Sequence, residues 1–146
     1  MATVASILKE KGNHVYSVSP DKTIVDCLKL MADKKIGSVL VLRDGKVVGI
    51  FSERDYARRG ILQGNDEHTP VEKVMTDKVY YVQPEQSVET AMAQMSDKRI
   101  RHLPVVHGDK VVGVISIGDV VKSMLQDKDS LIIGLENYIL GDVIKL

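Results

Sequence analysis

The segment VYSVSPDKTIVDCLKLMADKKIGSVLVLRDGKVVGIFSERDYAR, residues 15–58, recurs without a gap as VYYVQPEQSVETAMAQMSDKRIRHLPVVHGDKVVGVISIGDVVK, residues 79–122. The offset is constant at 64 positions, and about a third of the positions are identical. A chain built twice from one unit is held to architectures that use the unit twice. Two copies are too few for a solenoid, which needs about three or more to bury a continuous core. The copies are therefore expected to pack against each other.

At 146 residues the chain has about one domain's worth of length. That suffices for a hydrophobic core without disulfides or metal. Twenty basic residues balance twenty acidic ones. A net charge of zero argues against a general nucleic-acid binder and removes one barrier to self-association. Cys27 is the single cysteine, so an internal disulfide and a CxxC zinc site are excluded. In TIVDCLKLM it reads as a small buried hydrophobe. No apolar run approaches the roughly 20 residues that span a bilayer. The opening MATVASILKEKG places Lys and Glu after a short apolar run, the wrong order for a secretory signal. A cytoplasmic location away from membranes is the expectation.

Each copy reads as β-α-β-β-α. A short extended segment (VYSVSP, VYYVQP) leads through Pro20 or Pro84 to a helix that starts at Thr23 or Ser87, both good N-caps. Ile24, Cys27, Leu28 and Met31 fall at helical spacing, as do Val88, Met92 and Met95. Two β-branched runs follow, joined by RDG or HGD as a hairpin turn. A second helix then begins at SERD or SIGD. The expected organisation is an N-terminal helical segment over 1–14, a first repeat over 15–63 and a linker over 64–78. The linker carries one helical turn at PVEKVM. A second repeat over 79–126 precedes a C-terminal tail over 127–146, which reads as helical to about Leu140 and is apolar enough to need a partner surface.

Both copies close an apolar strand with the same grammar, KVVGIFSERD and KVVGVISIGD. Read locally, Ser52-x-x-Asp55 and Ser116-x-x-Asp119 are capping boxes that satisfy orphan N–H groups, worth about 1 kcal/mol. The residues also carry a resemblance. Gly49-Ile50-Phe51-Ser52-Glu53-Arg54-Asp55 and Gly113-Val114-Ile115-Ser116-Ile117-Gly118-Asp119, together with MADKKIGSVLVL and MSDKRIRHLPVV, resemble a tandem pair of CBS (cystathionine-β-synthase) domains, the unit called a Bateman module. The resemblance runs from Val15 to about Lys122. It implies an α/β module of two repeats related by a pseudo-twofold axis, with a cleft between them. In that family the cleft often takes AMP, ADP, ATP, NAD or S-adenosylmethionine, the last being the least expected here. It further implies a homodimer acting on an effector protein that the sequence does not name.

Beside this resemblance, a carboxylate in the first turn of a helix can accept hydrogen bonds from two ribose hydroxyls, and the helix N-terminus favours a nearby anion. Asp55 and Asp119 are the candidates, each with its serine, Ser52 or Ser116. The copies differ ahead of their first hairpin strand. The first has Ile36-Gly37-Ser38, and the second has Ile100-Arg101-His102-Leu103-Pro104. Arg101 offers a permanently charged fork for phosphate, and His102 a donor that titrates near neutrality. The Asp119 cleft is therefore expected to prefer a phosphorylated ligand, while Arg54, Arg58 or Arg59 could supply charge at Asp55. Pro104 implies an irregular strand start. Tyr16 with Val18, and Tyr80 with Val82, occupy the segments that the resemblance implies as walls of an adenine pocket. The alternative for the tyrosines is plain hydrophobic closure.

His14, His68 and His107 are isolated, and no metal-ligand spacing appears. No nucleophile elbow or phosphate-binding Walker loop is present. The expectation is a regulatory, non-enzymatic module with no required cofactor, sensing an adenosine nucleotide. The rivals are a nucleotide-independent dimerisation scaffold, a nucleotide hydrolase and a nucleic-acid binder.

Overall fold

The structure is a computed structural model and describes residues 2–126. The tail expected to be helical lies outside the described residues. Helix α1 (Val4–Lys11) opens the fold, capped by Thr3. The first repeat contains β1 (Ser17–Val18), α2 (Ile24–Lys34), β2 (Ser38–Arg43), β3 (Lys46–Ser52) and the helical turn α3 (Glu53–Asp55). The second contains α4 (Val88–Lys98), β4 (His102–His107), β5 (Lys110–Ser116) and α5 (Ile117–Gln126). The mixed α/β architecture follows the expected order.

Each repeat is a β-hairpin with helices against it. β2 and β3 pair antiparallel from Ser38↔Ser52 to Arg43↔Lys46. β4 and β5 pair in the equivalent register, from His102↔Ser116 to His107↔Lys110. Asp44 and Gly45, at φ 53° and 78°, form the first turn. Positive φ at both central positions matches the twist of the flanking strands, which is why Asp-Gly serves there. Both hairpins shift register at one place, between Val41 and Leu42 and between Val105 and Val106.

The opening strands are shorter than their sequences suggest. β1 has two residues, parallel to β2. In the second repeat Val82 alone bridges Val105. Pro104 accounts for the difference. Leu40 donates its N–H to the Tyr16 carbonyl at 3.3 Å, and Pro104 holds the place of Leu40 without an N–H to donate.

α1 and the linker exchange partners. Val4, Ile7 and Leu8 of α1 join the core of the second repeat, with Val82, Val88, Met95, Leu103 and Ile115. Val71 and Val74, from the linker's 3-10 turn (Val71–Lys73), join the core of the first repeat with Ile24, Cys27, Met31 and Phe51. The backbone contacts repeat as well. Val4 N–H donates to Gln86 C=O at 2.9 Å, as Val71 N–H does to Lys22 C=O at 2.7 Å. Each core is thus completed by the segment that precedes the other repeat. Cys27 is fully buried, and burial pushes its thiol up to about 11, so it is packing material rather than a nucleophile.

The glycines of the repeated motif are where these segments come closest. A Cβ on Gly113 would lie 2.6 Å from Leu8 Cδ2. A Cβ on Gly49 would collide with the Met75 side chain. Glycine is needed at both because a neighbouring side chain occupies the space of its missing Cβ.

A candidate nucleotide site between the repeats

The strand-to-helix turns hold the two acids. Asp55 Oδ2 accepts from the Ser52 N–H at 2.9 Å and from Ser52 Oγ at 3.0 Å. Its Oδ1 accepts from Thr76 Oγ1 at 2.9 Å. Asp119 Oδ2 accepts from the Ser116 N–H at 2.8 Å, and Asp119 N–H donates to Ser116 Oγ at 3.2 Å. Both turns are capping boxes, and both acids remain half-buried at the end of their strand.

Asp55 and Ser52 open on a cavity of about 480 Å³ between the repeats. The first repeat contributes Arg54, Arg58 and Arg59 to its lining. Arg58 and Arg59 arrive on a π-helical stretch, Tyr56–Gly60, that directly continues α3. The second repeat contributes Tyr80, Lys98, Arg99 and Arg101, and the linker contributes Lys78. Arg99 sits in the left-handed region at φ 55°, a conformation that favours glycine. Arg54 Nη1 crosses to the Arg99 carbonyl at 3.1 Å. Two ammonium groups lie over the Tyr80 ring, with Lys98 Nζ at 5.1 Å and Lys78 Nζ at 5.6 Å from its centroid. Glu53 and Asp55 are the only acids in this lining. The concave surface is therefore strongly positive although the whole chain is neutral.

A second cavity, of about 450 Å³, is lined by Ser116, Tyr16, Lys11, Lys35, His14 and His102 among others. Asp119 is not part of that lining. Lys11 lies on its carboxylate, with Nζ 2.7 Å from Oδ2 and 3.0 Å from the Val114 carbonyl. Burial would raise the Asp119 carboxyl. The Lys11 ammonium and the Ser116 hydrogen bonds outweigh it and hold the group below the usual carboxylate range. His102 lines both cavities. Burial lowers its pKa, aided by Lys11 and Arg101 and opposed by Asp119 and Glu53.

The structure groups the candidate residues differently from the sequence expectation. Arg101 and Tyr80 line the Asp55 cavity, and Tyr16 lines the Ser116 cavity. Each cavity combines the Ser-x-x-Asp turn of one repeat with the opening segment of the other. Arg101 shows why. Its carbonyl accepts the Ile117 N–H of its own repeat at 2.8 Å, while its side chain serves the other repeat's cavity. Of the phosphate donors expected at Asp119, Arg101 thus stands in the Asp55 cavity and His102 lines both. Val18, Val82 and Pro104 line neither cavity. Val82 is fully buried, with its N–H given to Pro104 C=O at 3.0 Å and its C=O taken by Val106 N–H at 2.8 Å. Pro104 acts indirectly. Lacking an N–H, it leaves the Tyr80 carbonyl without a backbone donor among the described residues.

Thr76, Lys78, Lys11 and Lys35 were not singled out by sequence. A signal for Lys11 existed. VASIL and VEKVM share an apolar spacing that extends the repeat ahead of residue 15. Among the described residues no group of three or more His, Cys, Asp or Glu side chains could hold a metal ion. No helix among them is long and apolar enough to cross a membrane.

A family model for the CBS domain matches the chain twice, over residues 4–61 and 71–126. The chain belongs to the CBS-domain family. It is a tandem CBS pair, and such pairs are regulatory modules. It is 35% identical to the mitochondrial CBS domain-containing protein CBSX3 of Arabidopsis thaliana, over 95% of this chain and 72% of that one. A solved structure of a CBS-domain protein from Burkholderia ambifaria MC40-6, named for signal transduction, superposes with a TM-score of 0.84. That protein is 48% identical, over 87% of this chain and 96% of its own. The CBS pair of protein MJ0100, solved with 5′-methylthioadenosine and S-adenosyl-L-methionine, shares the fold at a TM-score of 0.78 and 23% identity, over 88% of this chain and 99% of its own.

Proposed function

We propose that this CBS pair is a non-catalytic sensor that binds an adenosine nucleotide carrying phosphate in the Asp55 cavity. One observation carries the reading. A half-buried carboxylate shares a cavity with seven basic side chains drawn from both sides of the cleft. Asp55 would accept the ribose hydroxyls, with the Thr76 hydroxyl rotating aside. Tyr80, which lines the cavity, would face the adenine base. Arg101 and its neighbours would hold the phosphates, for which the guanidinium fork is suited. AMP, ADP, ATP and NAD fit this charge. S-adenosylmethionine, with a sulfonium and an ammonium against one carboxylate, fits it less well. The MJ0100 pair shows that the fold can hold adenosine compounds.

A ligand in this cavity touches both repeats. It can shift their relative packing by its differential affinity for the two arrangements. The output would pass to a homodimer partner or to an effector protein. The competing reading, a scaffold whose Ser-x-x-Asp turns serve only as caps, is supported by the capping boxes in both repeats.

Thermal unfolding of nucleotide-free protein against AMP, ADP, ATP, NAD and S-adenosylmethionine separates the two. A ligand at 100 times its Kd adds about 2.7 kcal/mol of stability, a shift of several degrees. The sensor reading expects this for a phosphorylated nucleotide and its loss in Asp55→Ala. No shift with any of the five leaves the scaffold.

A further inference from the structure

The repeat places one acid in each half, yet the two acids have partners of different charge. Asp55 lines its cavity and, among the described residues, meets there only neutral side-chain donors, the hydroxyls of Ser52 and Thr76. Asp119 is withheld from the corresponding cavity by Lys11, whose ammonium forms a 2.7 Å ion pair with Oδ2 and is anchored again on the Val114 carbonyl. Among the described residues no ammonium pairs with Asp55, because the segment that packs on the first repeat brings Thr76 to its acid. The acid of the second turn is therefore neutralised by an ammonium, whereas the acid of the first is held by hydroxyls and a backbone N–H.

We propose that Lys11 closes the second cavity to nucleosides, so that the chain takes one adenosine nucleotide, at Asp55, and none at Asp119. Lys11 is then a specificity-determining residue supplied by α1, outside the repeated motif. A ribose that sought Asp119 would have to displace an ammonium doubly held at short range. The inference rests on the reading of the Asp55 cavity given above, and its test keeps the two separable.

Equilibrium dialysis of nucleotide-free protein with radiolabelled ATP, and AMP in parallel, counts sites per chain. The expected counts are one for the wild type, two for Lys11→Met and none for Asp55→Ala. The double variant Lys11→Met/Asp55→Ala is expected to return to one, and Lys11→Arg, which keeps the ion pair, to stay at one. Two sites in the wild type, one of them lost in Asp119→Ala, would overturn the closure while leaving the Asp55 reading intact. A count of one in a Lys11→Met protein with a cooperative thermal transition would do the same. Binding to Lys11→Met but not to the wild type would sustain the closure and overturn the Asp55 reading. Binding to neither would overturn both.

Discussion

Gly49 and Gly113 are part of the repeated motif because of what presses on them, not because their backbone needs unusual angles. Leu8 fills the space beside Gly113, and Met75 the space beside Gly49. Gly113→Ala forces Leu8 or the β5 backbone to shift, and such overpacking costs about 1–3 kcal/mol. A lower urea midpoint at unchanged m-value is expected. His102 and Asp119 give the molecule a pH dependence of one sign. Both hold fewer protons folded than unfolded, since burial keeps His102 neutral and Lys11 keeps Asp119 ionised. Stability is therefore full above the unfolded histidine range, about pH 6.5. It falls as the pH drops below that, through His102 first and Asp119 at lower pH. Urea midpoints measured between pH 7.5 and pH 3 should decline steadily, and His102→Gln should flatten the upper part of that decline.

At the scale of elements, α1 is the piece whose role the sequence hides. Its helical character was readable from Val4, Ile7 and Leu8, but helical spacing says only that a face is apolar, not what it meets. It meets the second repeat across more than 70 residues of chain. Ile7→Ala should cost about 2–4 kcal/mol, as large-to-small changes in a core do. The same cost should appear in unfolding of the second repeat, read by hydrogen exchange of β4 and β5 amides. The hairpins, by contrast, were legible residue by residue, because β-branched runs flank Asp44-Gly45 with an unambiguous turn signal. The opening strands were over-read. VYYVQP alternates as a strand should, but a proline twenty residues on, at 104, removes the partner that would have extended it.

For the whole molecule, the doubling of one motif made the CBS pair and its two Ser-x-x-Asp turns legible from sequence. The pairing of those turns with the rest of the site was not. Sequence order keeps Arg101 beside Ser116 and Asp119, and its backbone does stay there. That Arg101 lines the Asp55 cavity depends on how the repeats face each other, which no local pattern encodes. The Asp55 cavity thereby gathers basic residues from both repeats. Calorimetric titration of nucleotide-free protein with ATP tests this most directly, with Asp55→Ala, Asp119→Ala and Arg101→Ala in parallel. The account predicts heat of binding in the wild type, none in Asp55→Ala, at least tenfold weaker binding in Arg101→Ala and little change in Asp119→Ala. Binding abolished by Asp119→Ala and kept in Asp55→Ala would contradict it.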